Sequence, residues 1–363
     1  MTILPAQLTS TLSDVAARYR RKSDAVSTAI LWTLITLLFG WAAIFETDLL
    51  IAGLIVGSVL ALGAIGLTLI YSILGFANFA HGDTMMLGAY VAFFLLTGIV
   101  VGEKPNIDLD VGWGLNRFPG ATAELADLSF GWGLLVAIAL SGIVMAVFSI
   151  GLDRVVYRPL RKRGSGIVIF AMAALGVAFS IRALMLIIWG PDPRRYVQGI
   201  HLAHHYPFGV VLKTDQIFIF LVALGLAAVM YFVLFHSKLG KAMRAMADNP
   251  DLALVSGINT DRIVMWTWAI GGGLMATAGA LLAIQALLKP GLGFELILPL
   301  FAATILGGIG KPQGAFIGAL VVGVTQESSI VFVSAGYKPA VAFVILIFIL
   351  LLRPRGLFGT TSS

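Results

Sequence analysis

GLTLIYSILGFANFAHGDTMMLGAYVAF, residues Gly66 to Phe93, sets an Asn, a His and an Asp inside an otherwise apolar run. Each unsatisfied polar group in a hydrocarbon setting costs several kcal/mol, so such a knot marks a break in a spanning helix rather than its continuation. Around it the 363-residue chain is 59% hydrophobic and 12% charged, with a mean hydropathy of +0.98. Soluble chains carry about 25% charge, so the fold class is an all-α polytopic membrane helical bundle.

Ten segments are apolar over roughly the 20 residues that a bilayer crossing requires. They run Ala25–Phe45, Leu49–Leu74, Thr84–Val101, Trp132–Leu152, Gly166–Trp189, Gln216–Phe235, Ile263–Leu288, Leu296–Ile309, Gly314–Ser334 and Pro339–Leu352. The eighth and tenth are short, and the eighth reads equally as a re-entrant helix. With both termini inside, the cytoplasmic ends collect Arg18, Arg20, Arg21, Lys22, Arg154, Arg158, Arg161, Lys162, Arg163, Lys238, Lys241, Arg244, Arg262, Lys311, Arg353 and Arg355. Most acids fall outside, which satisfies the positive-inside rule for ten spans. Residues 1–24 read as a basic cytoplasmic segment with nothing to be cleaved, 25–356 as one transmembrane domain with a long inner loop at 236–262, and 357–363 as a short tail. The net charge of +6 lies in clusters at helix ends, which argues against nucleic-acid binding.

Small residues recur at three- or four-residue spacing, as Gly53 with Gly57, Gly63 with Gly66, and Gly314 with Gly318. Such spacing lets helix backbones approach closely where lipid supplies no hydrophobic drive, so a dense bundle is expected.

Three elements can carry chemistry. In GFANFAHGD (Gly75–Asp83), expected on the cytoplasmic side between the second and third spans, Asn78 and His81 would share a helical face. The turn is then either a gate or a brace for the bundle. No metal is expected, since His81 has no second ligand near it in sequence. In SKLGKAMRAMADNPDLALVSGINTDR (Ser237–Arg262), Asn249 and Pro250 open a short helix from Asp251 to Ser256 that Gly257 ends. This is either a docking ridge or a helix resting on headgroups. Inside the membrane, Arg182 lies near enough to the outer end of its span to snorkel. Glu327, beside Gln326, is expected mid-span, where it lines a path, pairs with Arg182 or stabilises an interface. Gln285 and Glu295 are expected at the outer mouth.

GGIGK (Gly307–Lys311) lacks the Gly needed at Ile305 and the Ser or Thr needed at Pro312 for a phosphate loop, so no ATP site is expected in this chain. No catalytic residue set is found either.

The Gly66–Phe93 stretch, VVYRPLR (Val155–Arg161), GPDPR (Gly190–Arg194), ADNPDLALVSGINTDRI (Ala247–Ile263) and ILGGIGKPQGAFIGAL (Ile305–Leu320) together resemble the branched-chain amino-acid ABC transporter permeases. The likeness is to the first of that system's two permease subunits and covers Leu49 to Gly356. The basic N-terminal segment with its first span and the outer insertion at 103–131 depart from the family pattern.

The resemblance implies a bacterial inner-membrane importer. Its partners would be a related second permease, two cytoplasmic ABC ATPases that hold the ATP and Mg, and a periplasmic substrate-binding protein. It also implies that Asp251, Ala253 and Gly257 occupy the positions of the family's Glu-Ala-Ala, three residues, Gly coupling motif. Asp replaces Glu there, and Leu252 replaces the first Ala. The coupling set is then Asn249, Pro250, Asp251, Ala253, Gly257 and Asn259. The path or gate set is Asn78, His81, Gln326 and Glu327. Branched-chain amino acids or a related small polar solute would be the cargo. The alternative is an ATP-independent channel or secondary carrier for a solute such as urea or an amide, and the absence of a run of intramembrane acids argues against it.

Overall fold

A computed structural model describes residues 6–101, 108–197, 203–205 and 210–359, with side chains from residue 25 onward. Its longer helices follow the apolar runs, with short helices between them. They are α1 (Ala6–Phe45), α2 (Thr47–Leu74), α3 (His81–Thr97), α4 (Trp132–Leu152), α5 (Arg158–Lys162), α6 (Ile167–Trp189) and α7 (Thr214–His236). They continue with α8 (Lys238–Asp248), α9 (Pro250–Val255), α10 (Thr260–Gln285), α11 (Leu292–Gly307), α12 (Pro312–Ser328) and α13 (Lys338–Leu352). Between α4 and α5, Asp153–Tyr157 winds as a π-helix without a break. Among the described residues, strand appears in short loop pairs, β1 (Ile99–Val101) against β2 (Asp108–Asp110) and β3 (His204–His205) against β4 (Val211–Leu212), both antiparallel. Ile99 faces Asp110 in the first pair.

Among the described residues, eight helical stretches are long and apolar enough to cross a membrane. The chain is a multi-pass membrane protein. Two of the ten expected spans are missing from that set. The third runs His81–Thr97 rather than Thr84–Val101, and the eighth is the 16-residue α11 with Pro299 inside it. At 1.5 Å per residue, neither reaches the ~30 Å of a hydrocarbon core. The ninth also ends early, at Ser328 rather than Ser334, and a 3-10 turn follows over Ser329–Val331.

The core is built around α2, in which every residue from Gly57 to Ile70 is buried. A helix apolar and buried on all sides belongs in the middle of a bundle. Its small residues decide which neighbours come close. A Cβ on Gly53 would lie 2.5 Å from Val324 Cα of α12, and one on Gly57 would lie 2.9 Å from Leu320 Cα. The antiparallel α2–α12 pair thus packs backbone to backbone, where dispersion contacts are densest. Helix α10 lies against α2, α3 and α4. By contrast, α1 and α13 keep most of their surface exposed, as helices at a lipid boundary do.

One end of the bundle carries the arginine-rich α4–α5 turn, α8, α9 and the start of α12. The other carries the long loops. Leu357 and Phe358 donate their backbone N–H groups to Leu306 O and Gly307 O, holding the chain after α13 against α11 at the basic end.

Candidate functional site: a re-entrant turn, a polar cavity and the α8–α9 loop

The polar knot is not a loop at the membrane surface. Helix α2 runs to Leu74 at the basic end, yet His81 Nε2 donates to Gly63 O at 2.8 Å, eleven residues back along α2. Eleven residues of helix measure about 16 Å. The six residues Gly75–Ala80 and the His81 side chain together return that distance into the bundle. Phe76, Asn78 and Ala80 are buried while Gly75, Ala77 and Phe79 are less so; the segment leaves α2 through left-handed Gly75 and closes in a turn in which His81 N donates to Asn78 O at 3.2 Å. Non-helical backbone at membrane depth persists only when protein encloses it, and aromatic rings supply that enclosure. Phe76 packs on Tyr157 and Phe170, Tyr157 stacks on Trp268 at 5.1 Å, and Phe79 meets Phe301.

The expectation that Asn78 and His81 share a helical face is corrected by this geometry. Asn78 precedes α3, and its Oδ1 accepts from Ala80 N (3.1 Å) and Tyr157 Oη (3.3 Å), whereas His81 is turned to α2. Asn78 Nδ2 and His81 Nδ1 are both buried without a hydrogen-bond partner among the described residues. Gly82 permits the close seating of α3. A Cβ there would stand 2.1 Å from Gly293 O at the start of α11.

Asp83, in the first turn of α3, takes a fork from Arg182 of α6, Nη2 at 2.9 Å from Oδ1 and 3.1 Å from Oδ2. Arg182 also lies 4.9 Å over the Phe294 ring. It pairs inside the bundle instead of snorkelling, and its acid is Asp83 rather than Glu327. Sequence reasoning left Asp83 out of the site, although a lone acid in the knot and a lone arginine in an apolar helix each signal a missing partner.

Glu327 is one residue from the end of α12, not mid-span, and both its carboxylate oxygens accept from Lys338 Nζ at 2.7 and 2.8 Å. Gln326 Nε2 donates to Lys338 O at 2.9 Å. The two expected path residues thus clamp the turn into α13. Glu327 also lines a cavity of about 480 Å³ at the loop end, with Ser129, Arg195, Lys213, Asp215 and Gln285 on its walls. Asp215 is occupied by Ser129, accepting its backbone N–H at 2.9 Å and its hydroxyl. Gln285 sits at this mouth as expected, whereas Glu295 is exposed on the first turn of α11. Asn78 and His81 are not part of this cavity.

At the basic end, α8 follows α7 after Ser237, whose hydroxyl caps it by accepting from Gly240 N (2.9 Å). Its Met243 and Met246 are buried. Asn249 caps α9 through Leu252 N (2.9 Å), with Pro250 in the first turn, and Gly257 closes the segment at φ +84°. Asn259 caps α10 by the same geometry through Arg262 N (2.9 Å). Ala253 faces inward, Asp251 is exposed, and Leu252, Leu254 and Val255 stand out into the open, Val255 at 86%.

Comparison of the chain with known proteins finds transport permeases. The family model described as "Branched-chain amino acid transport system / permease component" matches residues 49–350. The chain is 32% identical over 313 residues to the high-affinity branched-chain amino acid transport system permease protein LivH of Escherichia coli K12, covering 85% of this chain and 93% of the relative. To the corresponding permease protein BraD of Pseudomonas aeruginosa it is 34% identical over 317 residues, 85% of this chain and 94% of the relative. A shorter likeness, 34% over 140 residues, links 36% of this chain to 44% of the ribose import permease protein RbsC of Bacillus subtilis. This chain belongs to the permease family of branched-chain amino acid transport systems.

Proposed function

We propose that the chain is the membrane-spanning permease subunit of an ABC importer that carries branched-chain amino acids, or a related small polar solute, across the bacterial inner membrane. The observation that carries this reading is α9. It is a helix of six residues, capped at one end by Asn249 and stopped at the other by Gly257, and it presents Leu252, Leu254 and Val255 at the basic end with nothing on them. Exposed leucine and valine on a short ridge gain free energy by entering a groove on another protein. The positive-inside rule assigns that end to the cytoplasm, where ABC ATPases would supply the groove.

In this proposal Asn249, Pro250, Asp251, Ala253, Gly257 and Asn259 form the coupling segment. Two ATPases engage this permease and a second, related one, and a periplasmic binding protein delivers the solute to the loop end. The cavity there carries Arg195 and Lys213 beside the Glu327–Lys338 ion pair, a polar lining suited to a small charged solute. ATP-driven closure of the ATPases shifts α9, and the bundle exposes the path to one side or the other. Asn78 and His81, each with one buried polar atom without a partner among the described residues, are the candidate gate in this reading. Such atoms cost about 1–3 kcal/mol when unpaired, and a passing polar solute relieves that cost without being trapped.

The test is gentle purification from the native membrane followed by mass spectrometry. ATPases with Walker motifs and a second permease are expected in the complex. Recovery of the chain by itself under conditions that preserve other ABC assemblies would contradict the proposal.

A further inference from the structure

At the basic end, α4, the π-wound turn and the start of α10 enclose a recess of about 310 Å³ bordered by Arg154, Arg158, Arg161 and Arg262. Two of these cations are answered. Arg158 Nη2 donates to Asp261 Oδ2 at 2.7 Å, and Arg161 forks onto Asp153 at 2.7 and 2.9 Å. Arg154 and Arg262 are exposed and have no acidic partner among the described residues. Four arginines against two acids leave a surplus of two positive charges in one recess. A π-helical turn of this kind recurs at functional sites because it widens the helix and re-aims its side chains.

The helix surface leading to the recess identifies the anion. Val136, Leu140, Ile143, Val144 and Val147 are all exposed on α4 and step along one face at intervals of three and four. Four residues on, Gly151 leaves open space, since a Cβ there would meet nothing within 4 Å. Arg154 follows at the lip. On the neighbouring α10, Trp266 is exposed one turn beyond Arg262, the depth at which tryptophan marks the membrane–water boundary. An apolar track ending in unpaired arginines at that boundary has the shape of a phospholipid, with the acyl chain along α4 and the phosphate among the arginines.

We propose that this recess is a binding site for an anionic phospholipid whose phosphate is held by Arg154 and Arg262. Arg262 begins α10 three residues after Asn259, so the headgroup rests against the stem of the α8–α9 loop. The site does not depend on what the permease carries.

The test uses the full-length chain, stripped of lipid in mild detergent and titrated with phosphatidylglycerol, with phosphatidylcholine of the same acyl chains, and with inorganic phosphate, with bound species read by native mass spectrometry. Phosphatidylglycerol is expected to bind in preference to phosphatidylcholine and to resist millimolar phosphate. Arg154→Gln weakens it about five-fold and Arg262→Gln about as much again, while Arg244→Gln, which removes a charge from α8, leaves it unchanged. Arg154→Lys with Arg262→Lys keeps the charge and retains the lipid, a comparison that holds even if the glutamine pair misfolds. Equal binding of the two lipids, or glutamine variants that keep full affinity, would overturn the proposal. Displacement by inorganic phosphate would assign the recess to a free anion and overturn it as well.

Discussion

Asp83 and Arg182 show how a single charge is made tolerable in this bundle. Each alone would cost several kcal/mol in the membrane interior; together they neutralise each other and leave few lone pairs unmet. Removing one partner strands the other, so Asp83→Asn is expected to destabilise the fold by about 3–5 kcal/mol. Arg182→Gln added to it should recover most of that loss. Unfolding titrations of the wild type, both single variants and the double variant form the cycle that reads the coupling; strictly additive losses would show that the pair is not a unit. Glu327 and Lys338 pose a different question, because their pair sits on the wall of a polar cavity. Exchanging them as Glu327→Lys with Lys338→Glu restores the ion pair and with it the stability of the α12–α13 turn. If the carboxylate also guides solute, the exchanged protein remains folded but transports poorly. Unimpaired uptake by a stable exchanged variant would reduce Glu327 to a clamp.

At the level of elements, α9 was legible in the sequence because its determinants are local. Asn249 caps through a backbone N–H three residues on, Pro250 costs nothing in a first turn, and Gly257 accepts a left-handed conformation. The re-entrant chain was not legible. A polar knot announces a break in a helix, but only the long-range contacts of His81 with Gly63 and Gly82 with Gly293 say that the chain turns back inward. The same limit hid the partner of Glu327. Carrying the ninth span through to Ser334 left the carboxylate in mid-membrane, when a helix ending at Ser328 brings Lys338 within reach. For α9 itself, Leu252→Glu with Val255→Glu places charge on the exposed ridge without touching the buried Ala253. Capture of the ATPases should fall at least thirty-fold, about 2 kcal/mol for a central contact, with no change in melting temperature. Normal capture by this variant would remove α9 from the docking surface.

For the whole molecule, the expected all-α bundle is present, and the small-residue spacings read from the sequence coincide with backbone contacts, as at Gly53 and Gly57 against α12. What composition alone overstated was uniformity. Eight helices are of crossing length among the described residues, while α3 and α11 are shorter and meet near their starts at Gly82 and Gly293. The starts of these two short helices meet backbone to backbone beside the enclosed non-helical segment Gly75–Ala80, a junction built on glycine as the α2–α12 pair is.

In the proposed mechanism, ATP on partner subunits drives the movement of solute through this chain. The most direct test is uptake of labelled leucine into liposomes holding the purified complex, with the binding protein outside and ATP enclosed. Uptake that requires both enclosed ATP and the binding protein is the predicted result. Equal uptake by this chain alone, without ATP, would contradict it and describe a channel or secondary carrier instead.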